Sequence, residues 1–169
     1  AVGHDNVDLE AATELGVPVT NTPGVLTETT ADLTFALILA VARRVPQAHD
    51  YTVAGRYRIW GPNLFLGADV GTGASGRRKV LGIVGFGRIG AAGARRARGF
   101  DMDVVAFDPE TNIGQEGVEQ VELGQLLERS DFVSLHPPLT RQTRHLIGAE
   151  ELARMKPSAF LVNASRGPV

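Results

Sequence analysis

From Lys79 onward, short apolar runs alternate with stretches of helical spacing. The runs KVLGIVGFG, MDVVAFD, DFVSLH and AFLVNAS, rich in Val, Ile, Leu and Phe and bounded by turn residues, predict four strands. Residues 88–99, 123–129 and 150–155 carry the helical pattern. Strand and helix alternating at this spacing imply a parallel sheet with helices on its faces.

The first half reads differently. A short helix from Asp8 to Leu15 ends at Gly16, the residue type that most readily closes a helix, and Val17 to Thr20 reads as a strand. From Thr27, the positions Leu33, Leu37, Ala40 and Val41 recur at helical spacing, with Thr27 or Thr29 able to cap the start. That helix is expected to run to Arg44, or past Pro46 with a kink. Gly55 to Arg78 has no clear period and reads as the return crossing between two domains.

Composition narrows the class. The 169 residues, 43% of them hydrophobic, suffice for one ordinary core that buries about 70% of the unfolded surface. A net charge of −2 gives no reason to expect a nucleic-acid partner or an anionic membrane surface. The lack of cysteine excludes disulfides, thiolate nucleophiles and sulfur-ligated metals. The longest apolar run, Phe35 to Ala42, is far shorter than the roughly 20 residues of a membrane-spanning helix. No signal peptide opens the chain, so a cytoplasmic protein is expected, and both ends read as cut.

GFGRIG, Gly85 to Gly90, matches the G-x-G-x-x-G pattern, which alone is weak. Its context adds weight: it follows a strand, opens a helix, and is trailed 18 residues after Gly90 by Asp108 at the end of the next strand. Gly85 allows the tight turn, Gly87 lets the backbone approach a pyrophosphate, and Gly90 lets helix and strand lie close. The helix N-terminus offers free N–H groups to the phosphates. Asp108 would accept hydrogen bonds from the adenosine ribose, and a 2′-phosphate there would face a carboxylate, which favours NAD over NADP. Asp108 also fits a turn residue before Pro109, and Arg88 either pairs with the pyrophosphate or projects into solvent. Arg95, Arg96 and Arg98 read as a solvated face. His136 lies where a strand emerges toward the ligand crevice, but a lone histidine there is first of all structural. His4, His49 and His145 show no partners.

The stretches AVGHDNVDLEAA, NTPGVLTETTADLTFALILAVARR, LGIVGFGRIG, VVAFDP, VSLHPPLTRQTRHLI and MKPSAFLVNASRGPV together resemble the D-isomer-specific 2-hydroxyacid dehydrogenase family. They occur in the family's order and cover most of the chain. TETTADLTFALILAVARR and ARRARGFDM are most similar to its glyoxylate and hydroxypyruvate reductase branch. The resemblance implies an α/β enzyme with a Rossmann-type doubly wound parallel sheet and a partial flavodoxin-like substrate domain. Residues 1–25 would end a substrate-domain segment, 26–78 would form the interdomain crossing helix and loop, and 79–169 would be an incomplete NAD-binding domain holding five strands. The crossing helix would also serve a homodimer contact.

By the same resemblance, Val2 and Gly3 match a loop that meets the substrate carboxylate and nicotinamide. Gly85, Gly87, Arg88, Ile89, Gly90 and Asp108 match cofactor contacts, Pro137, Pro138 and Thr143 a loop along the adenosine side, and Ala164 and Ser165 the nicotinamide side. Arg166 matches the catalytic arginine, whose planar guanidinium would grip the carboxylate and keto oxygens of a 2-oxo acid. The implied reaction is hydride transfer between NAD(H) and a 2-oxo acid/D-2-hydroxy acid pair. The family's proton-donating His and its Glu partner match no residue of this chain, so the chain alone is expected to turn over weakly or not at all. The alternative is an NAD-sensing interaction protein of the same fold, like the C-terminal-binding co-repressors.

Overall fold

Neighbouring residues Ile83 and Val84 enter two different hydrophobic cores, one on each face of a parallel sheet. The computed structural model describes residues 2–169. Its elements are α1 (Leu9–Glu14), α2 (Thr27–Ala42), α3 (Val45–Val53), β1 (Val80–Val84), α4 (Arg88–Gly99), β2 (Asp103–Phe107), β3 (Val118–Gln120), α5 (Leu123–Arg129), β4 (Phe132–Leu135), α6 (Ala149–Arg154) and β5 (Phe160–Asn163). The strands pair in the order β3-β2-β1-β4-β5, all parallel. Chain order runs outward from β1 in both directions, as in a doubly wound Rossmann sheet.

Side chains alternate across each strand, and both faces are covered. Ile83, Val104, Ala106 and Phe132 meet Phe35, Ile38 and Ala42 of α2 and Ala94 and Ala97 of α4. Val84, Val105, Val133 and Leu135 meet Leu126 and Leu127 of α5 on the other face. The amino ends of the strands are fastened by buried Asp131. It accepts from the Val80 N–H at 2.9 Å, Arg77 Nη2 at 3.0 Å and Lys156 Nζ at 3.1 Å. Burial alone would raise its pKa, but these three donors outweigh burial and hold the carboxyl below its ordinary value.

Several elements depart from the sequence expectations. Val17 to Thr20 forms no strand: the segment is exposed, and the Val17 N–H turns back to Ala12 O at 2.8 Å. Helix α2 starts from Leu26 with no side-chain cap, not from a threonine cap. It also ends at Ala42 instead of running through Pro46. Proline has no N–H to donate back to the Ala42 carbonyl, which accepts from Ala68 N at 2.8 Å instead. Arg44 then takes a left-handed φ of 56° and α3 begins. The Leu33, Leu37 and Val41 stripe that signalled the helix faces outward, at 54%, 37% and 40% exposure, while Ala31, Phe35 and Ile38 are buried. Arg95 and Arg96 are not simply solvated. They clasp α4 to α2 through Glu28 at 2.7 and 2.9 Å, and Arg96 also meets Asp32 at 2.6 Å.

Candidate active site

Strand β1 continues to β2 on one side of the sheet, while β4 lies on its other side, so a crevice opens beyond the carboxyl ends of β1 and β4. The Gly85 N–H donates to Phe107 O at 2.9 Å and the His136 N–H to Val84 O at 2.8 Å, which carries the sheet pairing into the crevice. Gly85 has φ +86°, and a Cβ there would stand 2.7 Å from Pro137 N. A Cβ at Gly90 would stand 2.5 Å from Gly85 O and 3.1 Å from Ile83 Cγ2, so helix and strand could not approach as they do. Gly87 differs: nothing lies within 4 Å of a Cβ placed on it. It is the N-cap of α4 and offers no side-chain cap to the first N–H groups of this 12-residue helix. That donor set, with room above it, fits the pyrophosphate of a dinucleotide.

Asp108 stands at the end of β2, where Oδ2 accepts from Phe86 N at 2.7 Å and Oδ1 from Glu110 N at 2.9 Å. It therefore holds the glycine loop and turns the chain before Pro109, while lining a separate hollow with Gln120 and Gln125. Arg88 is exposed at the start of α4.

On the other side of the loop lies a cleft of about 560 Å³. It brings together Val2, Gly3, Ile89, Pro137, Pro138, Ala164, Ser165 and Arg166, all singled out from the sequence. His4, Asp5, Asn21, His136, Leu139 and Thr140 line it as well. Thr143 does not. Its hydroxyl bonds Pro138 O and accepts from Thr140 N at 2.8 Å, so it staples the loop that forms one wall.

Arg166 is held from several directions. Its Nε donates to Asp5 Oδ2 at 3.0 Å and Oδ1 at 3.2 Å, and its Nη1 to Ser165 O at 3.1 Å. Asn163 fixes the turn beneath it. Its Oδ1 accepts from Ser165 N at 2.9 Å and Ser165 Oγ at 2.8 Å, and its Nδ2 donates to Arg166 O at 2.8 Å. The bond from Arg166 holds the Asp5 carboxyl below its ordinary pKa. The adjoining Val2–Gly3 segment is tied by Asn21 Nδ2, which donates to Val2 O at 3.0 Å. His136 pairs through Nε2 with the buried Ser134 hydroxyl, while its buried Nδ1 has no hydrogen-bond partner among the described residues. Burial pushes its pKa down to about 4, so the ring is neutral at pH 7.

Asp5, Asn21 and Asn163 escaped the sequence reading. Asn163 sits two residues before Ser165, within an Asx-type spacing, and that local signal could have found it. Asp5 and Asn21 act across long chain separations and leave no local mark.

The sequence pattern of the D-isomer specific 2-hydroxyacid dehydrogenase NAD binding domain matches residues 35–169. The chain belongs to this family. A glyoxylate reductase of Korarchaeum cryptofilum is 56% identical over 173 residues, covering all of this chain and 50% of that protein. A crystal structure of a Thermus thermophilus protein superposes with TM-score 0.90 at 48% identity, over 99% of this chain and 51% of that one. An acyclic imino acid reductase solved with NADPH and D-Arg superposes with TM-score 0.82 at 30% identity, over 98% of this chain and 51% of that one. The chain thus spans about half the length of the curated relatives it matches. The family's matched region begins at Phe35, inside α2, where that helix enters the sheet core. Among the described residues, no helix is long and apolar enough to cross a membrane.

Proposed function

We propose that the protein carrying this chain moves a hydride between NAD(H) and a 2-oxo acid/D-2-hydroxy acid pair, with glyoxylate or hydroxypyruvate as substrate. The observation that carries this reading is the Arg166 guanidinium beside the Val2–Gly3 backbone, in a cleft that Ile89 of the glycine-loop helix also lines. When bound, the nicotinamide cofactor would supply or accept the hydride. Arg166 binds the substrate carboxylate, sets C2 in place and steadies the negative charge that grows on the carbonyl oxygen. Val2, Pro137, Pro138, Leu139 and Ala164 make the cleft largely apolar, which excludes water and strengthens that attraction. No residue of the cleft is assigned as the proton donor. His136 is neutral, buried and bonded to Ser134, and neither it nor His4 matches the family's donor position, so this chain alone is expected to turn over weakly or not at all.

Asp108 supports NAD(H), because a 2′-phosphate in its hollow would meet a carboxylate; the NADPH-bound imino acid reductase makes that preference worth measuring. Residues 1–25 are read as the end of the substrate domain. Helix α1 buries none of its residues, and Leu15 and Val17 stand exposed. The outward stripe of Leu33, Leu37 and Val41 supports a homodimer in which α2 meets a second copy.

The deciding experiment is Arg166→Ala in the full-length gene product, assayed with glyoxylate and NADH. A transition-state contact of this kind is worth about 3–4 kcal/mol, so kcat/KM should fall on the order of 10²- to 10³-fold. Wild-type kcat/KM in the variant would end the assignment.

A further inference from the structure

Arg166 meets its carboxylate partner in an unusual way. A guanidinium commonly grips a carboxylate with a fork of two nitrogens. Here both Asp5 oxygens lie on the single Nε, at 3.0 and 3.2 Å, and Nη1 reaches Ser165 O at 3.1 Å. Of the five N–H donors of an arginine, the second Nη1 hydrogen and both on Nη2 are engaged by none of the described residues.

Gly3 makes this arrangement possible. A Cβ at that position would stand 2.5 Å from Arg166 Nη2 and 2.7 Å from Asp5 Oδ1, so any side chain would push the pair apart. Asp5 and Arg166 are 161 positions apart in the chain and meet on the wall of the same cleft.

We propose that Asp5 is a positioning residue for Arg166: by occupying Nε, it turns the guanidinium so that its Nη edge meets the carboxylate of a bound 2-oxo acid. This rests on reading the cleft as a 2-oxo acid site. Two consequences separate the role from simple structural support. Without an acceptor on Nε, the guanidinium swings and the substrate is misplaced, so turnover suffers. With an acceptor that carries no charge, the orientation survives while the anion competing for the guanidinium is gone, so a substrate-like anion binds more tightly.

The test compares Asp5→Ala and Asp5→Asn in the full-length gene product, reading kcat and KM for glyoxylate, the inhibition constant of oxamate, and the Kd for NADH. Asp5→Ala should lower kcat on the order of 100-fold, the penalty of a small misplacement at a reacting centre, with the Kd for NADH unchanged. Asp5→Asn should keep kcat close to wild type and bind oxamate more tightly. A wild-type kcat in Asp5→Ala, or an Asp5→Asn as slow as the alanine variant, overturns the proposal. If the alanine variant does not fold, Asp5→Asn decides by itself: tighter oxamate upholds the role, unchanged or weaker oxamate ends it. A wild-type protein that reduces no 2-oxo acid would overturn the substrate reading and this inference together, whereas wild-type turnover with a silent Asp5→Ala would overturn this inference alone.

Discussion

The backbone N–H of Phe86 donates to Asp108 Oδ2 at 2.7 Å, so the carboxylate at the end of β2 is also the clamp that holds the glycine loop. Its other oxygen takes the Glu110 N–H, and each oxygen keeps a further lone pair for a ligand.

Asp108 should therefore serve affinity and discrimination at once. A hydrogen bond to a charged group is worth about 1.5–3 kcal/mol, so Asp108→Ala should weaken NADH binding on the order of 10- to 100-fold. Asp108→Asn, which keeps an acceptor oxygen and loses the charge, should narrow the preference for NADH over NADPH. Titration followed by nicotinamide emission measures both. Trp60 is a poor reporter, being 72% exposed and outside both hollows.

Substitutions at Gly85 and Gly87 should separate folding from cofactor binding. Gly85→Ala combines a φ of +86° with a Cβ driven into Pro137 N, and should destabilise the fold by at least about 2 kcal/mol in a denaturant titration. Gly87→Ala meets no neighbour and has an ordinary φ of −79°, so it should cost about 1 kcal/mol or less. Its methyl group would stand where the pyrophosphate approaches the backbone, and NADH binding should suffer while the fold persists.

Acid should remove stability in two successive windows. His136 is held neutral when folded, with its pKa pushed from 6.5 to about 4 by burial. Between those values the unfolded chain takes up a proton that the folded one refuses, so stability is full above pH 6.5 and declines as pH falls toward 4. Asp131 is shifted below its ordinary 3.8 when folded, so its contribution is present above that pH and is lost as pH falls through the lower folded value. Denaturant midpoints across pH should show both declines. His136→Gln should flatten the first, Asp131→Asn the second. At neutral pH, Asp131→Ala should cost about 2 kcal/mol, because the Val80 N–H loses its acceptor while Arg77 and Lys156 can turn to water.

Leu37 lies at the centre of the outward stripe of α2. Leu37→Glu should convert a homodimer of the full-length gene product to monomer in light scattering, with the melting temperature of the monomer near that of the parent at low concentration. A wild-type monomer at all concentrations would remove the dimer proposal.

Much of the sheet was legible because its signals are local. The boundaries Arg88–Gly99 and Leu123–Arg129 follow from a glycine loop and a compact apolar pattern, and the structure reproduces both. Strand β3 left no apolar run to read: it is three residues long, none of them fully buried, and exists because Val104 and Ala106 offer it a register. Helix α2 was legible as a helix but not in its orientation, since it is apolar on nearly every side and only packing against α4 and the sheet selects the inward face. In the cleft, Arg166 was found through its motif, whereas Asp5 depends on a contact that no short-range pattern encodes.

A chain must close a loop of 161 positions before Asp5 and Arg166 can meet, whereas β1, α4 and β2 need only their sequence neighbours. The sheet can therefore form while the cleft is still open, making the cleft the last part to assemble and the first to come undone. A single protease cut within the exposed stretch from Val17 to Val25 would detach one wall of the cleft and leave the cofactor fold standing.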